Sequence, residues 1–176
     1  MTRAFLTILV TVAALAFNAP AMAQISVSRT PAANAPVLGA VIRGGTTSTF
    51  SVSTAGVVTR TSGDAIRLTG GSVTAPSFSV VCNLDILCNL RYIRITVQTT
   101  GASGPPTITK FRVSGLTGTT YRQGSAPAEA SVLTFDLNPF ILPAYANFTI
   151  GMDVQVPAGA TSGVDTFTFS VTATQL

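Results

Sequence analysis

The chain has 176 residues, only 9% of them charged, a formal net charge of +4, no histidine and two cysteines. Its basic residues are scattered (Arg29, Arg43, Arg60, Arg67, Arg91, Arg94, Lys110, Arg112, Arg122), with no cluster of the kind that grips a phosphate backbone, which argues against nucleic acid as a partner. Acid–base catalysis usually draws on His or a tuned carboxylate pair. Here Glu129, Asp64, Asp85, Asp136, Asp153 and Asp165 stand singly in turns or on wet strand positions. No Gly-rich stretch ends in Gly-Lys-Ser/Thr and no Ser is framed as Gly-x-Ser-x-Gly. The reading is of a chain that is not an enzyme and needs no cofactor or metal.

The first 23 residues read as an address. Arg3 gives a positive start, Ala4–Phe17 is an apolar run, and Pro20 precedes a small-x-small site, Ala21-Met22-Ala23. That predicts a secretory signal peptide cut between Ala23 and Gln24. The run is short for a hydrocarbon core of ~30 Å, and no later stretch is apolar for ~18 residues, so no transmembrane span is expected after cleavage. Residues 24–176 then form one domain, which the length prior supports. The expected destination is the periplasm, the cell surface or the medium. An oxidising compartment makes a disulfide the default for Cys82 and Cys88. The loop between them is Asn-Leu-Asp-Ile-Leu, so the bond would pin a local turn and contribute at most about 2–3 kcal/mol. A metal pair would need further ligands that a chain without His or a third Cys does not offer.

Taken in order, the mature chain opens with a short strand, Gln24–Arg29, placing Ile25 and Val27 on one face. Pro31 and Pro36 then break regular structure. Strands follow at Val37–Ile42, Thr47–Val52, Val57–Arg60, Ala65–Leu68, Ser77–Cys82 and Tyr92–Gln98, separated by Gly44-Gly45, Gly63-Asp64 and Gly70-Gly71 turns. Beyond the loop Gly101–Pro106, Thr107–Ser114 puts Thr109, Phe111 and Val113 opposite Lys110 and Arg112. Val132–Leu137 puts Leu133, Phe135 and Leu137 inward and Asp136 outward. Asn147–Val156 alternates Phe148, Ile150, Met152, Val154 and Val156 with Thr149, Gly151, Asp153 and Gln155. After a turn marked by Pro157, Gly159 and Gly163, Phe167, Phe169, Val171 and Ala173 alternate with Thr168, Ser170 and Thr172. These last two stretches are expected to pair as a β-hairpin on whose apolar face the rest packs. Short strands spaced by Gly, Pro and Ser clusters predict an all-β, antiparallel sandwich.

Three features together carry a resemblance. One is the block from Gly44-Gly45-Thr46 to Gly70-Gly71-Ser72 and Pro76-Ser77-Phe78-Ser79-Val80. The second is Leu133-Thr134-Phe135. The third is the ending with Val156-Pro157-Ala158-Gly159 and Thr-Phe-Thr-Phe-Ser-Val-Thr-Ala. Over nearly all of the mature chain this resembles the bacterial secreted "domain of unknown function 4402" family. The resemblance implies an exported immunoglobulin-like or pilin-like β-sandwich of Gram-negative bacteria, without catalytic residues. The chain departs from that pattern at Cys82–Cys88, where a Thr-Gly turn and a Tyr-containing strand are expected, which leaves the strand pairing there open. The family is also broadly similar to chaperone–usher pilins, whose subunits join when one chain's amino-terminal segment completes the next one's sheet. The partners so implied are copies of the chain or other surface subunits, and a periplasmic chaperone. Ile25 and Val27 are the candidate donor-strand residues, but Arg29 and Pro31 interrupt the alternation.

The alternative is a secreted carbohydrate- or protein-binding module. Tyr121 and Tyr145, placed in loops, could stack on a sugar, and Tyr92 falls on an outward position; the competing role for such tyrosines is to anchor a loop. Asn83 with Asp85 and Asp136 with Asn138 are Asx pairs, short of the oxygens calcium requires. A transmembrane barrel would need apolar outward faces and aromatic girdles where this chain has Thr and Ser.

Overall fold

Alternating Thr/Ser and apolar residues become strands almost wherever the pattern runs. The computed structural model describes residues 25–30, 37–82, 89–100, 107–140, 145–159 and 163–176. Among these the strands are β1 (Ile25–Thr30), β2 (Val37–Ile42), β3 (Ser48–Val52), β4 (Val58–Ser62), β5 (Ile66–Arg67), β6 (Ser77–Cys82), β7 (Ile93–Thr99), β8 (Thr107–Thr117), β9 (Leu133–Leu137), β10 (Tyr145–Val156), β11 (Gly163–Thr166) and β12 (Phe169–Gln175). Every pairing is antiparallel. Among the described residues no helix is long and apolar enough to cross a membrane.

The large sheet is built around β10. On one edge of β10, β6 pairs with Tyr145–Thr149 and β3 with Met152–Val156, end to end. On the other edge lies β8. β1 extends this sheet beyond β6, and β4 beyond β3. A second sheet, ordered β12-β7-β9, faces it. The two layers meet through rings: Phe169 lies 5.9 Å from Phe78 and 5.5 Å from Phe111, and Phe135 is 5.5 Å from Phe148, edge to face. Phe111, Phe148, Ile93, Ile95, Leu133, Leu137, Ile150 and Met152 are among the largest fully buried side chains. Each contributes roughly 1.5–3 kcal/mol by leaving water. This is an all-β antiparallel sandwich, with a small third sheet, β11-β2-β5, alongside.

The predicted carboxy-terminal hairpin does not form. β10 belongs to the large sheet and β12 pairs with β7 in the facing one. Both strands carry an apolar residue at every second position, and such strands can pack face to face across a core as well as side by side. The stretch between them leaves room for β11, which pairs with β2. Two smaller differences are that Tyr145, expected in a loop, opens β10, and that the Ala65–Leu68 strand shrinks to Ile66–Arg67.

Two of the turns the sequence marks are tied together. Asp64 accepts hydrogen bonds from the Gly45 amide (2.9 Å), the Thr46 amide (3.0 Å) and Thr46 Oγ1 (2.7 Å). One residue on, the Ala65 amide donates to the buried Ser48 Oγ at 2.8 Å. Gly63, at φ +79°, passes so close to Ser48 that a Cβ would strike it. The Thr46 hydrogen bonds hold the Asp64 carboxyl below its usual range.

Candidate functional site

The residues singled out for assembly sit at one end of the large sheet. β1 is the terminal strand there, and its ladder runs Ile25 opposite Cys82, Val27 opposite Val80 and Arg29 opposite Phe78. Ile25 and Val27 are half-buried and pack on the core. On the other face, Ser26 Oγ and Ser28 Oγ approach the Val81 and Ser79 carbonyl oxygens at 3.5 and 3.4 Å. The candidate donor segment therefore lies within its own chain's sheet. Arg29, which breaks the alternation, lies on the inward side. Its guanidinium is 4.8 Å from the centre of the Phe169 ring and 6.0 Å from that of Phe78. Such contacts contribute about 0.5–2 kcal/mol, more as water is excluded. Burial lowers the Arg29 pKa from its ordinary value, yet an arginine stays charged at any physiological pH.

The outer edge of β1 lies alongside β12, but no ladder joins them. The two sheets thus approach at this seam without closing, and Arg29 bridges it through its stack on Phe169. Cys82 ends β6, buried beside this strand. Cys88, the predicted cleavage residues Ala23 and Gln24, and the Asn83–Asp85 pair lie outside the described residues.

Among the described residues, Asp64, Glu129, Asp136 and Asp153 are taken up by protein partners. Asp136 points outward as its alternation predicts, yet it is only 5% exposed because arginines cover it. Arg94 grips both its oxygens, Nε to Oδ1 at 2.8 Å and Nη2 to Oδ2 at 3.1 Å, and Arg122 Nη1 stands 3.7 Å away. The Arg94 hydrogen bond lowers the Asp136 pKa against the opposing effect of desolvation. Asn138 donates to Thr120 Oγ1 at 2.7 Å, so the Asp136–Asn138 pair does not converge on a common point. On the large sheet, Arg112 joins Glu129 (2.6 Å), Asp153 (2.5 Å) and Ser51 Oγ (2.7 Å), tying β8 to β10 and β3. Among the described residues no group of three or more His, Cys, Asp or Glu could hold a metal ion.

Of the tyrosines, Tyr121 packs edge-on against Phe135 with its hydroxyl buried, and burial raises its pKa. That is a loop anchor rather than a sugar platform. Tyr145 and Tyr92 are 39% and 38% exposed, and Arg122 lies over the Tyr92 ring at 4.1 Å. Alternation put Arg94 on an outward face, but gave no sign that Arg122 and Tyr92 would meet it, since strand register is not written in the pattern. Comparison with family models, with curated proteins and with solved structures found no match.

Proposed function

We propose that this chain is an exported, non-catalytic structural domain, a pilin-like surface subunit that joins copies of itself by exchanging β1. The observation that carries this reading is the way β1 is attached. It is a terminal six-residue strand held by one ladder to β6, by two half-buried aliphatic side chains and by the Arg29 stack. A second copy's β1 would supply every one of those contacts, so exchange makes and breaks the same interactions. The signal-like start and the resemblance to the secreted domain family support export. A chaperone that covers the β6 edge before assembly belongs to the same reading, because a bare edge is a template for wrong pairing.

The test uses the register. Ser28 and Ser79 face one another across β1 and β6. Cysteines at opposed antiparallel positions are close enough to bond. In the S28C/S79C double variant, exchange gives disulfide-linked multimers on a non-reducing gel of the sheared cell-surface fraction. If all linked protein runs as monomer, β1 stays in its own chain and the proposal fails.

A further inference from the structure

We infer that Arg122 and Tyr92 form a binding site for a carboxylate-bearing sugar on the outer side of the β12-β7-β9 sheet. The inference is independent of strand exchange, since the site shares no residue with β1.

Asp136 is a single carboxylate with two guanidiniums near it. Arg94 occupies both of its oxygens. Arg122, at 3.7 Å, is beyond hydrogen-bond length and makes no side-chain hydrogen bond to another described residue, although it is 46% exposed. It is nonetheless held in place. Its own amide donates to the Asp136 carbonyl at 2.8 Å, and its guanidinium stacks on Tyr92 at 4.1 Å. A stacked, positioned guanidinium with unused N–H groups presents the planar fork that carboxylates match. Its ordering cost is already met before any ligand arrives.

The surroundings favour a sugar over a bare ion. Tyr92 stays 38% exposed, offering an apolar ring edge beside the charge. The chain segment that carries Arg122 runs alongside the end of β9, with the Asn138 amide bonded to the Thr120 carbonyl at 3.0 Å. There Gly118, Thr119, Thr120, Asn138 and Pro139 line a cleft of about 490 Å³, within the size range of small-ligand sites. A fixed cation, an aromatic edge and a neighbouring, mainly apolar cleft, whose Thr119 hydroxyl and Asn138 amide already donate to the Asn138 carbonyl and to Thr120 Oγ1, together match the carboxylate and the apolar ring face of a uronic acid residue of an acidic glycan.

The experiment is calorimetric titration of the full mature chain with trigalacturonate, with neutral galactotriose and inorganic phosphate as comparison probes. The proteins are wild type, R122Q, and K110Q, which removes one exposed charge from β8 on the other sheet. The expected result is binding of trigalacturonate that R122Q weakens at least about tenfold, the scale of one lost charge-assisted contact, and that K110Q leaves within about twofold. R122K, which keeps the charge but not the fork, should fall between, and it serves as the test if R122Q does not fold. No heat with trigalacturonate at millimolar concentration would overturn the inference, as would an equal loss in K110Q. Equal binding of galactotriose would remove the role of charge, and equal binding of phosphate would remove the sugar; either also overturns it.

Discussion

Replacing Gly151 with alanine should destabilise the domain, because β10 changes partners at that residue. Up to Thr149 it pairs with β6, and from Met152 with β3, while the Ile150 amide reaches the Pro76 carbonyl at 3.0 Å. A Cβ on Gly151 would meet the Val52 carbonyl oxygen at 2.7 Å, Arg112 Cγ at 2.9 Å and the Thr54 amide nitrogen at 2.9 Å. Two of these three are backbone atoms, and the third belongs to the arginine that joins Glu129, Asp153 and Ser51. The Val52 carbonyl sits in the β3 ladders and the arginine in its ion pairs, so neither can swing aside without breaking a pairing. Overpacking of this kind costs about 1–3 kcal/mol, offset by the roughly 0.5–1 kcal/mol that alanine gains over glycine within a strand or helix. A net loss of ~1–2 kcal/mol lowers Tm by about 2–8 °C in a domain of this length. Gly70 is the control: nothing lies within 4 Å of its Cβ position and its φ is not in the left-handed region, so G70A should leave Tm unchanged or raise it slightly. Thermal unfolding followed by circular dichroism reads both. A G151A protein that melts at or above wild type would refute the account of the crossing.

Three further outcomes follow from named contacts. D136N should cost about 1.5–3 kcal/mol, the range for a hydrogen bond to a charged group. Because the Asp136 pKa is lowered in the folded state, its stabilisation is complete above the unfolded value of about 3.9 and is lost as pH falls through the folded value. Urea midpoints should therefore fall less steeply below pH 4 in D136N than in wild type, and parallel profiles would count against the Arg94 pairing. The two cysteines should be oxidised together: thiol titration of the denatured, unreduced chain should find no free thiol, and finding two would end the disulfide proposal. Arg29→Ala should free β1 from its stack, so that its amides exchange hydrogen faster than those of β7, and unchanged protection would mean the stack holds nothing.

How much was legible depended on the range of each interaction. Alternation is local, so strands such as Ser77–Cys82 and Leu133–Leu137 and their inward residues could be read directly. The Gly44-Gly45 and Gly63-Asp64 turns could be marked, but not the hydrogen bonds by which Asp64 ties one to the other. Pairing is not local. Phe148 and Phe169 look like neighbours in a hairpin, yet each contacts rings from the opposite layer, Phe135 for one and Phe78 and Phe111 for the other. At the strand edge, Ile25 and Val27 stood out as a short alternating pair, whereas Arg29 read as an interruption. It contributes a stack whose partner, Phe169, lies near the other end of the chain. The Arg122–Tyr92 contact was hidden for the same reason: it depends on which residues the register of β7 and β9 brings together.

That dependence on remote partners sets the folding behaviour. Apart from β3–β4, the ladders join strands that other elements separate: β1 with β6, β2 with β5 and β11, β3 and β6 with β10, and β7 with β12. Loop closure must precede nearly every gain, which places such all-β topologies in the millisecond-to-second range. Stopped-flow refolding should accordingly show no main phase faster than about a millisecond. A dominant microsecond phase would mean that local structure drives folding and that this reading of the topology is wrong. Until β1 docks, the edge of β6 that faces it is open, with Phe78 and Val80 at alternate positions along it. Any β1 can dock there, whether from the same chain or another. Raising protein concentration during refolding should therefore increase the linked multimers of S28C/S79C, because intermolecular docking gains with concentration and intramolecular docking does not. A yield of linked multimers that does not change with concentration would show that β1 finds its own β6 first.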